Sequence, residues 1–395
     1  MRIAIAVHGR FEAFDLAREL IRRGHRVGLL TNYPRWAVEP FGVPGESVRS
    51  FWPHGVMTRA IARLGQRALR SSEPVLHRLF GRWASATLRH EAWDVVYAFS
   101  GVAEESLRAR APDVRLHMLA RASTHIRTQD RLLHEEEIRT GASQDRPSPW
   151  MIAREQREYA LADVIRVLSS FAYETFVAEG VPSRRLRLIL SGVETNAFRP
   201  SPETLELRCR RLLSGAPLRV LNVGTFAFRK GVWDTAEVIR TLGTDRFEFR
   251  FVGSVASEAA GLADQLKDQA TFVAKQPQSE LPGIYAWGDV FMLPTIEDGF
   301  PAVLAQAAAA GLPILTTPNG AGWDLIRDGH NGWVLPIRSA HSFVERLQWW
   351  DAHRQSLADM VHATQRVLKV RDSAEVAADF EQLCAPFLDT RVASA

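Results

Sequence analysis

A short loop with two adjacent carboxylates is the part of the sequence best suited to chemistry. Glu297 and Asp298 follow an apolar run typical of a buried strand, and an alanine-rich segment typical of a helix begins just after them. Gln306 lies eight residues beyond Asp298, about a turn inside that helix. Helix N-termini attract anions, so an acid and an amide flanking one suit a ligand with hydroxyls at both ends and phosphates between them, such as a nucleotide sugar. Solvated surface charge is the alternative reading of the two acids.

Two adjacent cations, Arg229 and Lys230, form a second candidate site. They follow the apolar run 218–223 and Gly224, and a helical pattern begins directly after them. Cations in such a position can clamp a diphosphate, although a solvated Arg–Lys pair fits the same pattern. No Walker loop is present, and no Gly-x-Gly-x-x-Gly follows the first apolar run, which argues against a nicotinamide or flavin site there.

A histidine provides a third candidate. His125 lies shortly after the apolar run 116–119, and we expect it to face the same cleft as the acids, either as a catalyst or as a structural hydrogen-bonding group. The sequence contains no His-Glu-x-x-His, no cysteine pair and no Asp-x-Asp, so we expect no metal site. A Gly-x-Ser-x-Gly nucleophile elbow is also missing.

Two series of alternating strands and helices must position these residues. Apolar runs separated by amphipathic helical segments are typical of parallel sheets covered on both faces. The predicted strands are residues 3–7, 27–30, 95–99, 116–119, 164–168 and 186–190 in the first series, and residues 218–223, 249–252, 271–274, 290–293, 314–317 and 332–335 in the second. We therefore predict an α/β fold with two Rossmann-like domains, residues 1–195 and 196–372, facing each other across a cleft. By analogy, the helical pattern in 373–395 packs back on the first domain.

The composition agrees with a globular protein. The 395 residues are 46% hydrophobic and 24% charged, and the formal net charge is +4. Two cysteines are too few for a disulfide framework, and no apolar run reaches the roughly 18–20 residues that cross a bilayer. Because the N-terminus also has no pattern of a secretory signal, we expect a cytoplasmic protein.

One segment of the first half is strongly basic. Residues 51–90 contain seven arginines and a single acid, Glu73. Within residues 57–83 these arginines alternate with apolar and aromatic residues at helical spacing. Such a stretch either lies on an anionic membrane surface, peripheral to the inner face of the plasma membrane, or forms a helical pair with one packed and one solvated face. Nucleic-acid binding is not expected, because no recognition motif accompanies the basic cluster.

Four segments, taken in order, resemble glycosyltransferase family 4, a family of retaining enzymes with the GT-B fold. They are residues 158–169, the connector 192–200, the cation loop 224–231 and the acid loop with its helix, 298–311. The segment 121–125, together with Gln129 and the adjacent acids Glu135 and Glu136, resembles a bacterial subgroup of the family. The resemblance extends over nearly the whole chain.

The resemblance implies a role for each candidate residue. Arg229 and Lys230, with Gly224, would bind the donor diphosphate, and Gly299, Phe300 and Pro301 would offer backbone groups to the sugar and phosphates. Asp298 would contact the donor sugar, and His125 would lie beside it as a second catalytic residue. The nucleoside would contact Gln306, Phe272, Ala274 and Lys275, and Gly9 would belong to the acceptor loop. The donor would be a UDP-sugar or a GDP-sugar, with no metal or other cofactor.

The chain departs from the family pattern at four positions. Asp298 and Gln306 replace the two glutamates of the family, Thr225 replaces an arginine, and Pro301 removes one N–H from the anion site. The function implied is transfer of a sugar from a nucleoside diphosphate to a hydroxyl of a glycan or lipid-linked acceptor, as in cell-surface polysaccharide biosynthesis. The departures keep two alternatives open: a non-catalytic nucleotide-sugar-binding or scaffold protein, and a nucleotide-sugar epimerase or hydrolase on the same fold.

Overall fold

The computed structural model of the chain describes residues 1–110, 113–367 and 370–388. This part of the chain folds into two α/β domains, each built on one parallel sheet. Among the helices within it, none has both the length and the apolar composition needed to cross a membrane.

The sheet of the first domain has seven strands within the described residues. They are β1 (Arg2–Val7), β2 (Arg26–Thr31), β3 (Val48–Ser50), β4 (Val95–Phe99), β5 (Leu116–Ala120), β6 (Val164–Val167) and β7 (Leu186–Leu188). Their order is β3-β2-β1-β4-β5-β6-β7, and all pairs are parallel. The direction in which strands are added therefore reverses between β1 and β4, where open α/β sheets bind their ligands.

The sheet of the second domain has six strands in the described part of the chain. They are β8 (Leu218–Val223), β9 (Phe247–Val252), β10 (Ala270–Val273), β11 (Val290–Leu293), β12 (Ile314–Thr316) and β13 (Gly332–Val334). The order β10-β9-β8-β11-β12-β13 reverses between β8 and β11. The loops after β8 and β11, which carry the candidate cations and acids, thus lie together at this reversal.

Helices cover both sheets. In the first domain they are α1 (Ala13–Arg22), α2 (Arg35–Val38), α3 (Trp52–Arg63), α4 (Gln66–Leu88), α5 (Glu104–Ala109), α6 (Ile126–Thr140), α7 (Pro149–Leu161) and α8 (Ser170–Ala178). The remaining helices are α9 (Thr195–Phe198), α10 (Pro202–Leu213), α11 (Val232–Leu242), α12 (Ala260–Leu266), α13 (Leu281–Trp287), α14 (Ala302–Ala309), α15 (Gly322–Leu325), α16 (Ala340–Ala352), α17 (Arg354–Val367) and α18 (Ser373–Leu388).

The burial pattern explains why these elements form. Residues 3–7 of β1 are completely buried, as expected of a strand covered on both faces. Helix α1 buries Phe14, Ala17 and Leu20, whose spacing of three residues makes one apolar stripe. The predicted α/β fold with two Rossmann-like domains is confirmed. Strand β3 was not predicted from the sequence, because it is three residues long and lies at the edge of its sheet.

The two domains touch along the cleft through polar side chains. Arg139 of α6 pairs with Asp234 of α11 at 2.7 Å, and Arg338, after β13, pairs with Glu135 of α6 at 2.8 Å. At the far end of the chain, α18 packs against α1 of the first domain, with Phe380 completely buried in the same cluster as Phe14. The prediction for residues 389–395 lies outside the described residues.

Candidate active site

Glu297 is the most heavily hydrogen-bonded acid of the cleft. It lies in the loop after β11 and is completely buried. It accepts hydrogen bonds from the hydroxyls of Ser123 and Thr124, from the Thr124 N–H at 3.2 Å and from the Gln129 amide at 3.3 Å. These donors belong to the first domain, so a carboxylate of one domain is enclosed by the other.

Arg229 completes the surroundings of Glu297, with a guanidinium N–H 3.1 Å from the carboxylate. Burial alone would raise the pKa of Glu297, but the Arg229 charge and the hydroxyls of Ser123 and Thr124 lower the pKa to about 2. Glu297 is therefore a carboxylate throughout the physiological pH range.

Asp298 and Lys230 form a second ion pair beside the first. Both side chains are largely buried, and burial lowers the pKa of Lys230 against the opposing effect of Asp298. Lys230 lies in a single 3-10 turn, Phe228–Lys230, that ends at Gly231 with φ +74°. A Cβ at Gly231 would lie 1.8 Å from the carbonyl of Pro294, so glycine allows the cation turn to pack directly against the acid loop.

The backbone groups expected at the diphosphate lie around these two pairs. Gly224 has φ +134°, and nothing lies within 4 Å of the place its Cβ would occupy. Gly299 contacts the first domain instead: a Cβ there would lie 2.2 Å from the Ala122 carbonyl. The Phe300 side chain is buried in the second domain, and Pro301 precedes the first residue of α14.

The residues expected at the nucleoside lie on a neighbouring part of the same domain. The amide oxygen of Gln306, on α14, accepts a hydrogen bond from the Tyr285 hydroxyl at 2.9 Å. Phe272, on β10, stacks on Phe251 with ring centroids 5.0 Å apart, and Ala274 and Lys275 beyond it are exposed. Gln306 is thus held by a protein hydroxyl, and Phe272 is held by the core.

His125 does not lie as the sequence led us to expect. It is 3% exposed, it precedes the first residue of α6, and its Nδ1 accepts the N–H of Arg127 at 3.3 Å. Its ring packs between Tyr159 and Phe176, with both centroids 5.0 Å away. Burial lowers the pKa of His125 to about 4. Because capping α6 turns the ring towards α7 and α8, it lies among core side chains and does not line either cleft cavity described below.

Two cavities occupy the cleft and share Gln129 and Arg229. The first, of about 450 Å³, extends from Arg229 and Asp298 to His8, Phe11 and His77 of the first domain. The second, of about 470 Å³, is lined by Lys230 and Thr225 of the second domain and by Gln66 and Asp145 of the first. Gly9, the expected acceptor-loop glycine, has φ +116° and donates its N–H to Asn32 Oδ1 at 3.1 Å, next to His8.

Sequence reasoning missed the first-domain partners of the acid loop. Ser123 and Thr124 follow β5 at the same edge of the sheet as the other candidates, so the rule that located His125 applied to them as well. His8, Phe11 and His77 were also missed; His8 directly follows β1 and could have been found by that rule. Among the described residues, no group of three His, Cys, Asp or Glu side chains could hold a metal ion.

Part of the chain is similar in sequence to known proteins. Residues 217–350, most of the second domain, match the family described as glycosyl transferases group 1. The amylovoran biosynthesis glycosyltransferase AmsK of Erwinia amylovora is 28% identical over 198 residues, 47% of this chain and 47% of that protein. A GDP-mannose-dependent alpha-mannosyltransferase of Mycobacterium tuberculosis is 30% identical over 208 residues, 53% of this chain and 50% of that protein. The chain thus matches about half the length of these relatives.

Solved structures match the chain over nearly its full length. The structure of Anabaena HepE in complex with UDP superposes with a TM-score of 0.70 at 14% identity, covering 98% of this chain and 100% of that one. WaaG, described as a glycosyltransferase involved in lipopolysaccharide biosynthesis, gives a TM-score of 0.64 at 15% identity, covering 97% and 99%. The fold is therefore GT-B, as the sequence predicted.

Proposed function

We propose that this protein is a retaining glycosyltransferase of family 4, of a bacterial type, that transfers a sugar from a nucleoside diphosphate to a hydroxyl of a glycan or lipid-linked acceptor. The observation that carries the proposal is the meeting of Arg229, Lys230 and Asp298 at the reversal point of the second sheet, at cavities shared with the first domain. The GT-B fold and the group 1 match over residues 217–350 support it.

The paired cations suggest how a donor would bind. Arg229 and Lys230 each lie against one carboxylate, Glu297 and Asp298. A diphosphate would offer both cations a stronger anion, with the N-terminus of α14 adding a favourable dipole. Lys230 would move from Asp298 to the phosphates, and Asp298 would then be free to accept hydrogen bonds from the donor sugar. The cations would also stabilise the charge that develops on the leaving diphosphate.

The transfer step requires no enzyme nucleophile in this proposal. The bond between the anomeric carbon and the diphosphate oxygen breaks as the acceptor oxygen forms its bond on the same face of the sugar. Because the new bond forms on the face that the diphosphate leaves, the configuration of the anomeric carbon is retained. The acceptor proton passes to the leaving phosphate. The domain contacts through Glu297 would hold the cleft closed and exclude water during the step.

The remaining assignments follow the same scheme. Gln306, Phe272, Ala274 and Lys275 would contact the nucleoside of a UDP-sugar or GDP-sugar. The relative described as GDP-mannose-dependent and the HepE structure in complex with UDP leave both bases open. Binding would not depend on a metal. His125 stays a predicted catalytic residue, although its burial between Tyr159 and Phe176 favours a role in holding the loop with Ser123 and Thr124.

A lipid-linked acceptor would bring the enzyme to a membrane. Helices α3 and α4 present exposed arginines at positions 59, 63, 67, 70, 78 and 82, and Leu64 between the helices is 77% exposed. Trp36 and Trp52, 75% and 55% exposed, extend this surface. Exposed indoles and guanidinium groups suit the interface of an anionic bilayer. We therefore propose peripheral binding to the inner face of the plasma membrane through residues 57–83.

Sedimentation with vesicles tests the membrane proposal. At low salt the protein should pellet with vesicles containing phosphatidylglycerol and stay in solution with pure phosphatidylcholine. The double variant Arg63→Glu/Arg67→Glu should reduce pelleting, whereas Arg240→Glu, on α11 of the second domain, should not. Absence of pelleting with the anionic vesicles would remove the proposal.

Donor turnover tests the main proposal. The protein is incubated with UDP-glucose and with GDP-mannose, alone and with a mixture of methyl glycosides as acceptors, and the products are analysed by mass spectrometry and NMR. Formation of a new glycosidic bond with the configuration of the donor supports a retaining transferase. Donor that is cleaved or isomerised equally without acceptor would favour a hydrolase or epimerase. Donor that binds and stays intact would favour a scaffold protein. Two structural features favour that alternative: both cations are already paired with carboxylates, and Pro301 lacks the N–H that the anion site would use.

A further inference from the structure

Three histidine rings meet at the first-domain side of the cleft. His8 follows β1, His54 lies on α3 and His77 lies on α4. The His8 ring centroid is 5.2 Å from that of His54 and 5.4 Å from that of His77, both in edge contact. His8 and His77 line the 450 Å³ cavity opposite Asp298 and Arg229, and His54 is buried behind them.

Hydrogen bonds fix the protonation of two of these rings. His77 Nδ1 lies 2.9 Å from the carbonyl oxygen of Gly101, and His54 Nε2 lies 3.0 Å from that of Leu76. A carbonyl oxygen can only accept, so each of these nitrogens carries the proton and the other nitrogen of the neutral ring carries a lone pair. Burial lowers the pKa of His77 to about 4 and that of His8 to about 3, which keeps both rings neutral near pH 7.

The cluster also contains unused polar atoms. Nε2 of His8 is buried and has no hydrogen-bond partner among the described residues, and the same is true of Nδ1 of His54 behind it. Buried polar atoms are nearly always hydrogen-bonded in native proteins, so an exception beside a cavity requires an explanation such as a bound ligand. Because His8 lines the adjoining cavity, a rotation of its ring would bring Nε2 within reach of a ligand hydroxyl there, which would supply the missing partner.

An aromatic surface lies beside the histidines. Phe11 is 57% exposed, lines the same cavity, and stacks on Phe99 with centroids 5.5 Å apart and ring planes 25° apart. Its backbone has φ +43°, which is unusual for a bulky residue and is tolerated chiefly at functional sites. An exposed, strained phenylalanine next to hydrogen-bonding groups is suited to the apolar face of a sugar ring.

We propose that His8, His77 and Phe11 form the acceptor subsite, and that the acceptor ends in a sugar ring. The lone pair of His77 Nε2 accepts a hydrogen bond from an acceptor hydroxyl, His8 makes a second polar contact, and Phe11 packs against the C–H face of the ring. The imidazoles are neutral, and the guanidinium on this side of the cavity, that of Arg121, is already paired with Glu155 at 2.9 Å. The subsite therefore suits uncharged hydroxyls better than the donor phosphates. This inference rests on the proposed transferase function, which assigns the second-domain side of the cleft to the donor and leaves the first-domain side to the acceptor.

A binding experiment tests the subsite without needing the natural acceptor. Methyl β-glucopyranoside, methyl β-galactopyranoside and methyl α-mannopyranoside are titrated into the full-length protein, with glycerol as a hydroxyl-bearing probe that has no ring, and binding is followed by saturation-transfer-difference NMR. At least one glycoside should bind, and glycerol should bind far more weakly. His77→Phe and Phe11→Ala should each weaken that glycoside about tenfold, the loss expected for one hydrogen bond or one packing contact.

Controls separate this inference from the proposed function. His341→Phe, at an exposed position on α16, should leave glycoside binding unchanged, and Phe11→Ala, at an exposed position, tests the site even if His77→Phe folds poorly. UDP and GDP are titrated into the same samples, and their affinities should change less than about twofold in the cavity variants. Glycoside binding that both cavity variants weaken supports the subsite even if neither nucleotide binds, an outcome in which the transferase proposal fails alone. No glycoside binding, equal binding of glycerol, or binding that both variants leave intact would overturn the subsite.

Discussion

The two sides of the cleft use opposite kinds of polar group. The second-domain side holds two cations and two carboxylates in direct ion pairs, Arg229 with Glu297 and Lys230 with Asp298. The first-domain side holds neutral imidazoles beside the guanidinium of Arg121, which is paired with Glu155 of its own domain, and Nε2 of His8 has no partner within the described residues. Paired charges can bind a new anion by exchanging partners, whereas neutral rings with free lone pairs bind by gaining a hydrogen bond. The contrast therefore assigns the charged side to phosphates and the histidine side to uncharged hydroxyls.

Removing the charge of Lys230 should have the largest effect, because it removes one of the two cations from the charged side of the cleft. We expect Lys230→Ala to reduce donor turnover about 100-fold, the usual loss when one preorganised donor to a developing negative charge is removed. The rate of nucleoside diphosphate release from the preferred donor measures the effect. Lys267→Ala, at an exposed position after α12, is the matched control and should be fully active. Near-normal turnover of Lys230→Ala would remove Lys230 from the site.

Neutralising Asp298 should separate sugar contacts from phosphate binding. Asp298→Asn keeps the shape of the side chain but weakens its hydrogen bonds to sugar hydroxyls, so turnover should fall by about tenfold or more. Affinity for the nucleoside diphosphate alone should stay within about threefold of the original, because Asp298 does not contact the nucleotide in the proposed complex. Calorimetry and turnover assays on the same sample measure both quantities. An equal loss of both would argue that Asp298 organises the cation loop instead.

Glu297 should contribute to stability. Glu297→Gln leaves the Arg229 guanidinium without its carboxylate. It also replaces one of the two acceptor oxygens by an amide nitrogen, which can only donate. The free energy of unfolding should therefore fall by roughly 3 kcal/mol. Denaturant titration at pH 7 measures this change. An unchanged free energy of unfolding would show that the hydrogen bonds around Glu297 do not hold the two domains together.

The same variant tests how the free energy of unfolding depends on pH. The pKa of Glu297 is held at about 2, below its ordinary value of 4.5, so its contribution to stability is complete above pH 4.5 and is lost as the pH falls towards 2. The free energy of unfolding of the wild type should therefore fall more steeply over this interval than that of Glu297→Gln. Parallel profiles for the two proteins would contradict the depressed pKa.

His125 should have the smallest effect on chemistry. Asparagine is a good helix N-cap, so His125→Asn keeps the cap of α6 but loses the ring between Tyr159 and Phe176. We expect a loss of roughly 1–2 kcal/mol in stability and less than about tenfold in turnover. Thermal unfolding and donor turnover measure the two effects. Loss of turnover with unchanged stability would instead support the catalytic role that the sequence resemblance implies.

Much of the scaffold could be predicted because its signals are local. The mainly apolar runs 95–99, 218–223 and 290–293 were predicted with the bounds of β4, β8 and β11, since strands covered on both faces need a mainly apolar sequence. The rule that ligands bind at the carboxyl ends of parallel strands then brought Arg229, Lys230 and Asp298 together. Each of these residues follows a strand that the sequence indicates clearly.

The rest depends on contacts between distant segments. Glu297 meets Ser123 and Thr124, more than 170 positions away, and no local pattern records that pairing. The histidine cluster joins the end of β1 to α3 and α4, and His77 lines the cavity with His8 although the two lie far apart in sequence. His125 follows a strand as the rule requires, but a helix cap turns its ring into the core. Position along a strand thus predicts where a residue lies, whereas the direction of its side chain depends on tertiary packing.

Calorimetric titration of nucleotides tests the central claim, that the paired cations exchange their carboxylates for a diphosphate. UDP, GDP and ADP, together with uridine and guanosine, are titrated into the wild type and into Lys230→Ala, with and without EDTA. The account predicts that UDP or GDP binds the wild type with or without EDTA, that its nucleoside binds much more weakly, and that Lys230→Ala loses most of the difference. No binding by any diphosphate, or equal binding by the variant, would contradict the account and make the scaffold function the better explanation of the fold.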